Sequence, residues 1–336
     1  MTKSSKHIIP AVLLALSLTA CEDWVKPEAL PVTVKTTEES DPALREQYLK
    51  NLQAYKKSDH PIVYVTFDNA AEAPLNASAL VSYLPDSVDV VELTHPDLKE
   101  WFQEDMAKTQ KDYGTRFVLR ISYKDIMAPY GVGGSQADAS EEEKAAALEQ
   151  EVSALLSKVK TYGFDGITVQ YDGMLPTHLK QDELDALVKK ENSFLPLIAA
   201  WKAQNPDKVL YFNGIPTRTV DHTVPLAAEA IIIPSASLIS ATAADFEARN
   251  AANGEFEGAP MMLEVNFLPS DQSDRTTGRY LEGDSIPLML EWMTTHTPDR
   301  YQLTGLCILH AEWDCFSGDG YYPVLRSTIK TLNPNS

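Results

Sequence analysis

Cysteine is scarce in this 336-residue chain, with only three residues, and that excludes a small scaffold built on disulfides. Cys307 and Cys315 flank an apparent strand and its exit loop, roughly 20 Å of extended chain apart. A disulfide between them would need a sharp return of the chain, so two free or buried thiols are expected. The seven histidines are scattered, and neither HxxxH nor CxxC spacing occurs. No structural or catalytic metal is expected from such a pattern. Positive charge is also short, with 29 Lys and Arg against 48 Asp and Glu, a formal net charge of −19. Nucleic-acid binding needs basic patches that displace counterions, so that class is excluded. No Gly-x-Gly-x-x-Gly or Walker loop is present, and no nucleotide or other cofactor is expected.

What the N-terminus holds is an address. Lys3 and Lys6 precede an apolar run from Ile8 to Leu18, of secretory-signal length and too short to span a bilayer. The run ends in Leu18-Thr19-Ala20-Cys21, which resembles a bacterial lipobox. That resemblance implies a signal peptide over residues 1–20 and a lipid anchor on Cys21, stable because several acyl chains share one residue. Glu22 and Asp23 follow directly and resemble the surface-export signal of Bacteroidetes lipoproteins, so an outer-membrane, cell-surface location is expected. Residues 21–40 carry Pro, Thr and acids without periodicity and read as a tether.

Beyond the tether, strand-like and helix-like segments alternate, the pattern of a parallel α/β fold. Asp41 and Pro42 open a helix with Leu44, Tyr48, Leu52 and Tyr55 on one face. Strands are expected at Ile62–Phe67, Val88–Leu93, Arg116–Tyr123, Gly166–Tyr171, Lys208–Asn213, Ala230–Pro234, Met261–Phe267 and Gly305–Ala311. Several are near-continuous apolar runs, as burial of both faces requires. Ser140 and Glu143 form a capping box ahead of Leu148, Val152, Leu155, Val159 and Tyr162, and Gly163 stops that helix. A second helical pattern runs from Asp182 to Gln204, ended by Asn205-Pro206. Eight strands separated by helices predict a single (β/α)8 TIM barrel over residues 41–336.

The most telling stretch is Phe164-Asp165-Gly166-Ile167-Thr168-Val169-Gln170-Tyr171-Asp172. It resembles the DxxDxDxE signature on the fourth barrel strand of family 18 glycoside hydrolases, the chitinases and endo-N-acetylglucosaminidases. Asp165 matches the first aspartate. Thr168 and Gln170 stand where the second and third aspartates belong, and Asp172 stands at the glutamate acid. The segment Tyr48–His60, and Tyr321-Tyr322-Pro323 with Leu332-Asn333-Pro334, resemble the run-in and final helix of Bacteroidetes members.

The resemblance implies substrate-assisted chemistry, in which a glutamic acid protonates the glycosidic oxygen and the 2-acetamido oxygen attacks the anomeric carbon. Gln170 cannot carry the charge that orients the acetamido group, a loss worth roughly 10²–10³ in rate. Asp172 is shorter by one methylene, a retreat of roughly 1.5 Å, and an acid must lie within about 3 Å of its target. The tyrosine that ends the family's sixth strand is also absent, since Ile231-Ile232-Ile233 runs into Pro234-Ser235-Ala236-Ser237.

A binding cleft at the strand ends is what remains. Its expected lining is Asp68, Asn69, Tyr123, Gln170, Asp172, Asn213, Asn266, Glu312 and Trp313, with Trp313 as the sugar platform. The resulting expectation is a catalytically impaired surface protein that captures N-acetylglucosamine-containing glycans, plausibly N-glycans, for an outer-membrane glycan importer. One alternative is an active hydrolase using Asp172 as acid, with Glu264 or Glu312 drawn in. Another is a non-catalytic scaffold of an envelope complex.

Overall fold

The computed structural model describes residues 41–269 and 274–334; the signal, the tether and Cys21 lie outside the described residues. Two compact units are distinguished, residues 1–47 and 48–336. Of the first, only residues 41–47 are described, and they begin helix α1 (Pro42–Tyr55). The second unit contains the barrel.

Eight parallel strands close on themselves: β1 (Ile62–Phe67), β2 (Val90–Leu93), β3 (Arg116–Ser122), β4 (Gly166–Gln170), β5 (Val209–Asn213), β6 (Ala230–Ile233), β7 (Pro260–Asn266) and, after a two-residue ribbon pair β8 (Arg279–Tyr280) and β9 (Gly283–Asp284), β10 (Gln302–Leu309). β10 pairs with both β7 and β1, the latter through Tyr64 opposite Cys307. All eight expected strands are present. The connections are α2 (Glu100–Tyr113), α3 (Tyr123–Met127), α4 (Glu141–Tyr162), α5 (Gln181–Asn192), α6 (Leu195–Gln204), α7 (Thr223–Leu226), α8 (Ala241–Ala251) and α9 (Ser285–Thr295), with α10 (Pro323–Leu332) closing the chain. The β1–β2 crossover is the exception to the expected alternation, with two 3₁₀ turns in place of an α-helix.

Alternation along each strand builds two cores. Outward side chains such as Val63, Val65, Phe67, Val91 and Leu119 pack beneath the helices. Inward ones (Tyr64, Val90, Val118, Tyr211, Ile232, Met262, Cys307) fill the lumen. Helix α4 shows how sequence sets one wall: Ser140 Oγ accepts from the Glu143 N–H at 3.2 Å, and Glu143 Oε2 accepts from the Ser140 N–H at 2.8 Å. Gly163 ends the helix at φ 76°. Between these caps Leu148, Val152, Leu155 and Val159 are buried, each stabilising by about 2 kcal/mol.

Two local expectations need correction. On α1 only Leu52 is buried; Tyr48 stays exposed and places its hydroxyl on Asp86. The pattern from Asp182 to Gln204 is two helices. Pro196, near the start of α6, has no N–H to give to the preceding turn, and the chain breaks at Ser193-Phe194, sending Phe194 into the core. Both remaining cysteines are free and buried, as expected.

Two glycines let neighbouring strands approach. A Cβ on Gly305 would lie 2.1 Å from the Ile62 carbonyl oxygen, and one on Gly166 would lie 2.0 Å from that of Val209. Neither obstacle is a side chain that can swing aside. Gly305→Ala should therefore cost more than about 3 kcal/mol in denaturant unfolding, the range of severe overpacking. An unchanged midpoint would show that the strands can part without penalty.

Candidate functional site

The polar residues of the lumen begin halfway up the barrel. On β4 the inward positions are Thr168 and Gln170, in register with Arg120 and Ser122 of β3 and with Tyr211 and Asn213 of β5. Thr168 is fully buried, and its Oγ1 lies 2.6 Å from the Tyr64 hydroxyl of β1. That hydroxyl also donates to Glu92 Oε2 at 2.5 Å. The other oxygen of Glu92 is paired with Arg120 Nε. Burial and the Glu92 charge hold the Tyr64 phenol well above its ordinary range. The carboxylate of this layer thus comes from β2, and its counter-charge from β3.

A second buried carboxyl stands across the lumen on β7. Glu264 is 6% exposed, and its Oε1 accepts from Asn213 Nδ2 at 2.6 Å. Burial pushes its pKa up from 4.5 to about 7, against the Asn213 hydrogen bond, and the facing Glu92 charge adds to the rise. Two residues further along β7, Asn266 is 8% exposed, and its Oδ1 is buried without a hydrogen-bond partner. Gln170, Asn213, Glu264 and Asn266 therefore form an arc of amides and one near-neutral acid.

A different cluster covers the mouth between β10 and β1. His310 follows β10 in the left-handed region at φ 61°, which costs a non-glycine residue about 1 kcal/mol or more. Its N–H donates to Thr66 Oγ1 at 2.9 Å. The turn stacks the His310 ring on Trp313, centroids 4.1 Å apart and planes 6° from parallel. Glu312 accepts from the Asp68 N–H at 3.1 Å and pairs with His310 Nδ1 at 3.2 Å. Asp68 in turn meets His95 Nε2 at 3.1 Å. The Asn69 side chain is committed to the His95 backbone, donating to its carbonyl and accepting from its N–H, both at 2.9 Å.

Three residues sit apart from these groups. Asp172 lies beyond the strand end, exposed, with its backbone carbonyl held by Lys190 Nζ at 3.0 Å. Tyr123 has outward parity and opens α3; its ring packs edge-on to Tyr171 and Phe194, under the Lys190 ammonium. Asp165 lies at the opposite end of β4, where Oδ2 accepts from the Phe117 N–H at 2.8 Å and from Gln110 Nε2 at 2.9 Å. That geometry is structural. Sequence reasoning missed Tyr64, Glu92, Arg120, His95 and His310 altogether. A lone Glu in Val90-Val91-Glu92-Leu93 and a lone Arg inside Phe117–Ile121 were the available signals.

Beside the arc, a cavity of about 470 Å³ opens at the ends of β2 and β3, lined by Thr94, Arg120, Ser122, Tyr130 and Gln150 among others. Its size is in the range of small-ligand sites. Among the described residues no group of three or more His, Cys, Asp or Glu is arranged to hold a metal.

The model of glycoside hydrolase family 18, BT1044-like, matches residues 25–331. A solved selenomethionine form of BT1044 has a TM-score of 0.63 at 19% identity, over 89% of this chain and 96% of that one. A chitinase from Bacteroides thetaiotaomicron has 0.52 at 10% identity, over 82% and 97%. Catalytic domain 2 of an Ostrinia furnacalis group II chitinase, solved with an N-acetylglucosamine oligomer, has 0.50 at 12% identity, over 82% and 97%. No curated protein matches the chain.

Two outcomes follow from the lumen. Because the folded Glu264 carboxyl binds its proton more tightly than an unfolded one, its contribution to stability is present below pH 4.5 and lost as pH rises through about 7. Glu264→Gln should remove that slope and gain up to about 3 kcal/mol over wild type in mildly alkaline solution; parallel melting-versus-pH curves would refute this. Thr168→Asp should place a second carboxylate against the Tyr64–Glu92 pair and cost about 3 kcal/mol or more. Equal denaturation midpoints would show that the lumen tolerates the extra charge.

Proposed function

We propose, since this chain belongs to glycoside hydrolase family 18 as a BT1044-like member, that it is a glycan-binding barrel with impaired hydrolytic chemistry. Its ligand would be an oligosaccharide containing N-acetylglucosamine, with N-glycans the favoured source. The observation that carries this reading is that β4 places no carboxyl in the lumen. Thr168 and Gln170 take the inward positions, and Asp172 stands exposed beyond them.

An acid catalyst has to sit within hydrogen-bond reach of the glycosidic oxygen and be shielded enough to hold its proton. Asp172 has no such shield. Binding needs less: planar amides for hydroxyl and acetamido groups, an aromatic surface, and a hollow of suitable size. Gln170, Asn213 and Asn266, the half-buried Trp313 and the adjoining cavity support that part. Trp313 offers one indole face at most, since His310 covers the other. The lipobox-like Cys21 and the acids after it support a lipid-anchored place on the outer membrane beside a glycan importer.

A hydrolytic reading has one observation in its favour, the buried Glu264 carboxyl poised near neutrality. It would require Glu264 to take over the acid's role from the opposite wall of the lumen.

Calorimetric titration of the full chain with N-glycan core oligosaccharides, followed by mass spectrometry of the same mixtures after overnight incubation, separates the readings. The expected outcome is saturable binding with intact glycan, weakened about tenfold by Trp313→Ala, the worth of roughly 1.4 kcal/mol of apolar contact. Cleaved glycan would establish a hydrolase. Neither binding nor cleavage would shift the case to a scaffold.

A further inference from the structure

The inward face of β7 carries a pair that the family resemblance does not account for. Glu264 and Asn266 are two residues apart on one strand face, so they are stacked about 7 Å apart along the lumen. Glu264 keeps one oxygen on Asn213 and makes no salt bridge among the described residues. Asn266 is more than nine-tenths buried, yet its amide forms no side-chain hydrogen bond among the described residues, and its Oδ1 is orphaned. An orphaned amide oxygen in a buried position is a desolvation penalty, removed when a ligand supplies the missing partner.

The groups facing Glu264 decide its state. Glu92 of β2 is already paired with Arg120 of β3, and the Tyr64 hydroxyl of β1 is donated to Glu92. Asp172, beyond the end of β4, adds negative charge. On β10, Cys307 is the register partner of Glu264, and burial holds its thiol well above the ordinary range. On the β6 side, the Ser235 hydroxyl exchanges hydrogen bonds of 2.9 Å with the Glu264 backbone. Among the described residues the one cation that acts on Glu264 is Arg120, which opposes the rise but is already held by Glu92, so the form that suits the site is the neutral acid, a hydrogen-bond donor.

We infer that Glu264 and Asn266 together grip a secondary amide of the ligand, the neutral Glu264 carboxyl donating to its carbonyl oxygen and the Asn266 amide accepting its N–H, so that capture is coupled to a proton on Glu264. The inference rests on the glycan-binding reading and moves recognition of the acetamido group from β4 to β7. A secondary amide presents its carbonyl oxygen and its N–H on opposite sides and so can span a donor and an acceptor stacked about 7 Å apart, whereas a hydroxyl offers both functions from one oxygen and cannot reach both. The consequence is tight capture in acid and release in alkali.

The test is titration of the full chain with tri-N-acetylchitotriose and with cellotriose, its hydroxyl counterpart, at about pH 5.5 and about pH 8.5. Tri-N-acetylchitotriose should bind wild type more than about tenfold more weakly at the higher pH. Glu264→Gln, which stays a neutral donor, should bind it alike at both. Asn266→Ala should weaken it at both without affecting cellotriose, and it carries the test if Glu264→Gln fails to fold. Wild-type affinity independent of pH, or Glu264→Gln with the wild-type profile, overturns the inference and leaves the glycan-binding reading standing. Cellotriose bound as tightly with the same pH profile overturns it as well. No binding of tri-N-acetylchitotriose at either pH overturns both.

Discussion

A carboxylate enclosed by a barrel must be neutralised where it stands, because the surrounding medium screens it weakly. The Glu92–Arg120 pair meets that requirement, and much of the upper lumen depends on it. With the charge fixed on β2 and balanced from β3, the Tyr64 hydroxyl is drawn to Glu92, and Thr168 serves as that hydroxyl's second partner. A second ionised carboxyl in the same layer would have no counter-ion. Burial is the larger cause that raises the Glu264 carboxyl on the far wall, the Glu92 charge adds to it, and the partner beside it is the Asn213 amide.

The fold was legible because burial of both strand faces writes long apolar runs, and runs such as Ile231-Ile232-Ile233 leave little choice of structure. The same property hid the lumen. In a strand buried on both sides, hydrophobicity does not tell which alternate side chain faces the barrel axis, so Glu92 and Arg120 could not be assigned to it from their own segments. The β4 motif was readable since a family pattern fixed its parity; no pattern covered β1, β2 or β3. Tyr123 was placed at the mouth by proximity to a strand end, and parity turned it outward to Tyr171 and Phe194. The split between α5 and α6 escaped for a related reason. The apolar periodicity carries on through Leu195 and Ile198, and Pro196 alone signals the break.

The mouth has two halves of different electrical character. Between β10 and β2, Asp68, His95, His310 and Glu312 hold one another through imidazole–carboxylate and backbone contacts, which fixes loop geometry. Between β4 and β7 the arc is uncharged apart from what Glu264 gains or loses. A neutral, hydrated oligosaccharide suits the second half: it exchanges water for amides without the desolvation penalty of an ion. The strained turn at His310 joins the halves, since it both ties β10 to Thr66 and sets the plane of Trp313.

Closure of the sheet has a colloidal consequence. Every barrel strand has a neighbour on each side, and among the described residues the only other strand pair is the two-residue ribbon of β8 and β9. The described residues of copies crowded side by side therefore offer almost no backbone edge on which to extend a sheet, the usual route from crowding to fibres. Each copy carries a formal net charge of −19, which pushes neighbours apart over about one Debye length, near 8 Å in physiological salt. Dense packing of the molecule would be limited by mutual repulsion, and raising the ionic strength, not altering the barrel, would relax that limit.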